Sequence, residues 1–145
     1  MKKSILFTLA ACCILILTTG CSDRPVLPSQ VPAAVQTFVK QNFPNQTISY
    51  AEKDLDWFWF KYDVVLADGT KIQFDRNNEW DKVNCQMTSV PQALVPTPIA
   101  TYCTTNFPGV FITKIDKEHY GYEVELANDM ELKFTKEGAL MSMDD

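Results

Sequence analysis

Five cysteines, one histidine and eighteen carboxylates are the side chains of this 145-residue chain that could do chemistry, and their spacing decides which chemistry is open. The lone histidine, His119, sits beside Tyr120 with no serine or cysteine nucleophile in a recognisable local motif, so it reads as an ordinary hairpin residue. A zinc site needs several His, Cys or carboxylate ligands at matched spacing. Cys12 and Cys13 lie inside an apolar leader and Cys21 at its end, which leaves Cys85 and Cys103. Glu123 and Glu125 stand two apart, the spacing that puts both on one face of a strand, and a solvated face is the plain reading. Asp144 and Asp145 close the chain. Nothing resembles a glycine-rich phosphate loop. No catalytic residue, metal or cofactor is expected, and the chain is read as non-catalytic.

Lys2 and Lys3 precede an apolar run from Ile5 to Leu17. That run is shorter than the roughly 20 residues of a membrane-spanning helix and fits a secretory signal peptide over residues 1–20. Thr18-Thr19-Gly20-Cys21 then resembles a bacterial lipobox, with Thr18 where leucine is usual. The resemblance implies lipidation of Cys21, a tether over residues 21–30, and a periplasmic or cell-envelope protein held at the outer membrane, or secreted if it carries no lipid. Ser22 after the cysteine fits outer-membrane sorting.

From residue 21 onward, eleven basic side chains face eighteen acidic ones, a net charge of −7. An acidic chain has no electrostatic grip on nucleic acid, so contact with a membrane would run only through the N-terminal lipid. An export compartment permits disulfides. Cys85 and Cys103 could form one bridge; equally, Cys103 could be a small core residue.

The organisation comes from an internal repeat. Val31-Pro32 through Phe38-Val39 to Asn42-Phe43-Pro44 recurs as Val95-Pro96 through Tyr102-Cys103 to Asn106-Phe107-Pro108, 64 residues on. Tyr62-Asp63-Val64-Val65-Leu66-Ala67-Asp68 through Phe74 matches Tyr122 through Phe134 at an offset of 60. The first copy therefore carries four extra residues around Asp54 to Trp57. The chain divides into repeat 1 (31–86), a proline-bearing linker (87–94) and repeat 2 (95–145), and the prolines of 90–98 stiffen the passage between them.

Each repeat opens on a short helix. Pro32 suits its first turn, Val35, Phe38, Val39 and Phe43 share one face, and Pro44 marks its end. Ile99, Tyr102, Cys103 and Phe107 make the same face in repeat 2. A helix of three turns is marginal alone and needs a sheet to lie on. Strands are expected from about 46 to 53 and 110 to 117, then through Phe58, Phe60, Tyr62, Val64 and Leu66, which share one parity. Asp68-Gly69 signals a two-residue type I′ hairpin, and Asn128-Asp129 holds that place in repeat 2. Ile72 and Phe74, or Leu132 and Phe134, point inward on the third strand, and a last strand takes Trp80 to Cys85 or Leu140 to Met143. The fold is α+β: two tandem helix-plus-antiparallel-meander repeats with both helices on one sheet face.

These residues resemble the PepSY-like domains of bacterial envelope proteins, which are related in fold to beta-lactamase inhibitory protein. The pattern is Val-Pro-x-x-Val-x-x-Phe-Val-x-x-Asn-Phe-Pro at 31–44, Tyr-x-Val-x-Leu-x-Asp-Gly-x-x-Ile-x-Phe-Asp at 62–75, and Trp80. Departures are Pro98 early in the second helix, Asn128-Asp129 in place of Asn/Asp-Gly, and Asn78 where repeat 2 has Gly138. The resemblance covers residues 28–145 and implies a secreted or lipid-anchored binding module, with inhibition of another protein as one use of the wider fold.

Asp56-Trp57-Phe58-Trp59-Phe60 is the run that asks for a function. If Tyr62 and Leu66 set the register, Phe58 and Phe60 point to the helices and Trp57 and Trp59 to the open side of the sheet. There they are either covered by the protein itself or form an aromatic patch of the kind that anchors protein partners. Lys61, Val65, Lys71, Gln73, Glu123, Glu125 and Lys133, with Asp63 and Glu131, would surround them as a mixed-charge rim. The expected function is protein or peptide binding through this face; the alternative is an envelope structural or assembly factor without a dedicated ligand. Mass spectrometry of the native protein is expected to find its N-terminus at an acylated Cys21, and a mature form beginning elsewhere would exclude the lipid anchor.

Overall fold

The computed structural model describes residues 24–56 and 59–145, with Asp56 and Trp59 described by their backbone. Its elements run β1 (Arg24–Val26), α1 (Ala33–Asn42), β2 (Ile48–Asp56), β3 (Trp59–Leu66), β4 (Lys71–Phe74), β5 (Trp80–Asn84), α2 (Thr97–Asn106), β6 (Ile112–Glu118), β7 (Gly121–Leu126), β8 (Glu131–Thr135) and β9 (Leu140–Asp144). The strands form one sheet in the order β1 to β9, each antiparallel to its neighbour in sequence. The α+β reading stands, and the repeat is visible bond by bond.

Both helices begin directly after a proline, Pro32 or Pro96, whose fixed φ feeds the chain in extended. Both end on an asparagine that folds back: Asn42 Nδ2 donates to the Phe38 carbonyl at 3.0 Å, and Asn106 Nδ2 to that of Tyr102 at 2.9 Å. Val35 and Val39 of α1, and Ile99 and Cys103 of α2, are buried in a single apolar cluster with Val64, Leu66, Ile72, Phe74, Val124, Leu126, Leu132 and Phe134. The Phe38 ring meets Phe74 edge-on at 5.3 Å, and Tyr102 meets Phe134 edge-on at 5.5 Å. Such aromatic pairs contribute about 1 kcal/mol beyond the area they bury.

The turns also repeat, and here the expected type I′ hairpin is corrected. Gly69 N–H donates to Leu66 O at 3.0 Å and Leu66 N–H to Thr70 O at 2.8 Å, with only Gly69 left-handed (φ 88°). This is a three-residue loop, a type I turn closed by one left-handed residue. Asn78, Asp129 and Gly138 take the same place in the β4–β5, β7–β8 and β8–β9 hairpins, with φ of 62°, 67° and 84°. One left-handed position tolerates Asn or Asp, which a two-position I′ turn would tolerate less well.

The two repeats share one sheet because β5 pairs with β6, Val83 opposite Ile115, both wholly buried. The intervening segment is anchored from inside: Val90 and Leu94 are buried, and Val90 N–H donates to Ile112 O at 2.8 Å.

Two further expectations change, and one open alternative is decided. Residues 21–30, read as a tether, supply a strand, for Arg24–Val26 pairs along β2 with Val26 on the core. Phe60, read as pointing into the core, is 48% exposed. It keeps the parity of buried Val64 but lies four pairs further along the hairpin, opposite exposed Leu55. Cys85 and Cys103 are separate buried thiols, not a bridge. Burial pushes the Cys103 thiol up to about 11 and raises that of Cys85. Both thiols are therefore expected to resist a thiol reagent at neutral pH in the native protein, and both to titrate after unfolding without reductant. Titration of neither after unfolding would restore the bridge.

Candidate binding surface

Strand alternation sends every second side chain of the sheet away from the helices. In repeat 1 these are Lys61, Asp63 and Val65 on β3 and Lys71 and Gln73 on β4; in repeat 2 they are Glu123 and Glu125 on β7 and Glu131 and Lys133 on β8. The sequence placed all of them on one face, and the register agrees. Gln73 Nε2 donates to Asp63 Oδ2 at 3.3 Å, and Val65 offers its carbonyl to the Ser49 hydroxyl at 2.9 Å. Thr113 repeats that last contact on Glu125 O at 3.1 Å.

The register sets Glu125 opposite Glu131, a like-charge pair that would repel. Two lysines resolve it. Lys133 Nζ lies 3.0 Å from Glu131, 3.8 Å from Glu123 and 3.9 Å from Asp144. Lys114 Nζ lies 3.7 Å from Glu125, 3.9 Å from Glu123 and 3.3 Å from Asp116. Asp116 also takes Lys82 at 3.0 Å on the same oxygen, and its side chain is only 8% exposed. The hub of this face, Lys114–Asp116–Lys82, is a group the sequence reading passed over. Its signal was the alternation of Lys114 and Asp116 along β6, blurred by the bulge between Ile112 and Lys114.

Burial acts to lower the Lys114 ammonium, but Asp116, Glu125 and Glu123 outweigh it and hold the group above the ordinary lysine value of 10.5. Lys133 is held above that value chiefly by its hydrogen bond to Glu131. Among the described residues no group of three or more His, Cys, Asp or Glu side chains is placed to hold a metal ion. His119 sits at the β6–β7 turn, edge-on to Tyr120 at 5.1 Å.

The two copies differ most at one hairpin. Glu118 pairs with Gly121 across a two-residue turn, and the equivalent pair in repeat 1, Asp54–Lys61, is followed by two more, Leu55–Phe60 and Asp56–Trp59. The four extra residues are this extension. It carries Leu55, 41% exposed, and the exposed Phe60, over whose ring Lys53 Nζ sits at 3.4 Å. Trp57 lies outside the described residues. Trp59 has the register parity of Lys61 and Val65, and its side chain lies outside the described set.

A helix-plus-antiparallel-meander unit repeated in one sheet is the architecture of a PepSY-like protein. The chain belongs to the family described as "Putative beta-lactamase-inhibitor-like, PepSY-like", which matches residues 17–58 and 60–142. It is similar to a "putative calcium-regulated periplasmic protein" of Bacteroides thetaiotaomicron, at 36% identity over 85% of this chain and 97% of that one, with a TM-score of 0.79. It is similar to a periplasmic protein of the DUF2874 family from Bacteroides vulgatus (37% identity, 86% and 98% coverage, TM-score 0.80). A second Bacteroides vulgatus periplasmic protein, described as of unknown function, matches at 30% identity, with 85% and 99% coverage and a TM-score of 0.80. No curated protein matches the chain. All three solved relatives are described as periplasmic, which supports a periplasmic or envelope location.

Lys114→Met leaves Asp116 with one lysine and Glu125 without its nearest cation. We expect a loss of about 1–2 kcal/mol at neutral pH by chemical denaturation, moderated by solvent screening of the rim. Because the folded state raises the Lys114 pKa, its contribution is complete below the ordinary lysine value of 10.5 and fades as pH rises past it. The gap between wild type and Lys114→Met should therefore close in alkali, and a gap constant with pH would show that the charge is not responsible.

Proposed function

We propose that this chain is a lipid-anchored envelope protein, carried out by its signal peptide, acylated at Cys21 and held at the outer membrane, which binds a protein or peptide partner without catalysis. The partner is gripped at the extended β2–β3 hairpin, with Trp57 and Trp59 as anchors and Lys61, Val65, Lys71 and Gln73 as the adjoining rim. Glu123, Glu125 and Lys133 flank it, and occlusion of the partner's own site would make the protein an inhibitor. One observation carries this reading: the scaffold is duplicated almost bond for bond, yet only repeat 1 lengthens its hairpin, and the added length bears exposed Leu55 and Phe60. Exposed apolar side chains beside mixed charge are the composition of a protein-recognition site.

The test is capture from cross-linked envelopes with the full chain and with Trp57→Ala/Trp59→Ala. Truncating a hot-spot tryptophan costs about 2 kcal/mol or more in binding, roughly a 30-fold loss. The double variant should lose its partner while its thermal midpoint stays within a degree or two. If it unfolds, the tryptophans are core and the anchor is not there; if it captures as wild type does, the rim carries binding without them. The description of the Bacteroides thetaiotaomicron protein as calcium-regulated makes calcium a useful added arm. Capture should be indifferent to it, because Glu123, Glu125, Glu131 and Asp144 each already face Lys114 or Lys133.

A further inference from the structure

The two ends of the sheet are unequal, and the internal repeat says what each end fits. At the joint between repeats, β5 lies on β6 with Lys82 opposite Asp116, Val83 opposite Ile115 and Asn84 opposite Lys114. The β6 residues Asp116, Ile115 and Lys114 correspond, 64 positions earlier, to Glu52, Ala51 and Tyr50 on β2. On β2 the neighbour is β1, antiparallel to it as β5 is to β6, with Pro25 opposite Glu52 and Val26 opposite Ala51. So β1 occupies the place on repeat 1 that β5 occupies on repeat 2, and Val26 stands where Val83 stands. The strand that corresponds to β5 at the far end is β9, 60 positions later, and among the described residues it pairs only with β8.

We propose that the β2 edge is a strand-accepting site, filled at rest by β1 and matched in register to β9 of a second copy. In the joined state Ser142 faces Glu52, Met143 faces Ala51 and Asp144 faces Tyr50, which copies the β5–β6 joint between molecules. The fit follows from the residues. Met143 shares the core-facing parity of Val83, since it pairs with buried Leu132 as Val83 pairs with buried Ile72. Opposite it, Ala51 is small and wholly buried, which leaves room for the longer methionine. Ser142 brings no charge against Glu52.

The two strands compete unequally. β1 has three residues, only Val26 packs on the core, and Pro25 has no N–H to give to a ladder. β9 has five residues, every one exposed, with no proline or lysine to blunt its edge. β1 holds the site because it belongs to the same chain and is present at high effective concentration. The joint is heterologous and does not close on itself by two-fold symmetry, so exchange builds head-to-tail chains rather than a symmetric dimer. This inference does not depend on the hairpin tryptophans.

The test weakens β1 in the full chain. Val26→Asp should convert a single monomer mass into a ladder that grows with protein concentration, measured by size exclusion with light scattering. Adding Met143→Asp should return the monomer. A folded Val26→Asp protein that stays monomeric at every concentration overturns the proposal, as does a ladder indifferent to Met143→Asp. Should Val26→Asp fail to fold, Glu52→Cys with Ser142→Cys in the otherwise native chain decides. Mild oxidation should yield 52–142 disulfides between copies on peptide mapping. Finding no disulfide there, or only 52–52 and 142–142 links, overturns it.

Discussion

Val83 against Ile115 is the contact on which the rest of this structure depends. Each repeat taken alone has a helix of ten residues and a half-sheet with one apolar face. A helix of that length is marginal in water, and a unit of some 55 residues buries too little of its own surface to be more than marginal. Pairing β5 with β6 turns two such units into one core, in which Ile99 and Val35 belong to the same apolar cluster. The proline-bearing segment before α2 is part of that joint, since Val90 and Leu94 are buried within it.

On the opposite face the same joint creates an electrostatic problem and solves it. Bringing β5 beside β6 puts Lys82 next to Asp116, and Asp116 in turn organises Lys114 among three carboxylates. Lys82, Lys114 and Lys133 offset part of the charge of Asp116, Glu123, Glu125, Glu131 and Asp144, so that region is laced with ion pairs and still acidic. Repeat 1 has instead a longer hairpin. Duplication has left one scaffold with two kinds of surface.

Much of this could be read from the residues, and what could not has physical reasons. The helices were legible because Val35/Val39 and Ile99/Cys103 recur at helical spacing before a proline. The β3–β4 and β7–β8 pairs were legible because Asp68-Gly69 and Asn128-Asp129 interrupt alternating runs. β1 was not, because three residues with a proline give no period to detect, and its pairing is decided by the vacant place beside β2. The turn type was missed because Asp-Gly serves both two-residue loops and a type I turn with one left-handed residue. The four left-handed positions Gly69, Asn78, Asp129 and Gly138 mark the second kind. Phe60 shows that parity assigns a side of the sheet but not a depth. Of the surface, Glu123, Glu125 and Lys133 were placed correctly, whereas Lys114 and Asp116 were hidden by a bulge that shifts alternation by one.

The strictly sequential order of the strands has a consequence for how the chain reaches this state. Among the described residues each strand pairs only with the one before and the one after it, which keeps contact order below that of a sheet with non-sequential pairings. Hairpins of this kind form in roughly 1–10 μs, and here every hairpin can form without waiting for a distant segment. Two pairings are exceptions: β1 with β2, separated by α1, and the more widely spaced β5 with β6, separated by all of α2. Closing the second of these loops carries the largest entropy cost in the sheet, and it is also the step that completes the core. Folding of this chain is thus gated at its middle, where the two halves find each other, rather than at either end.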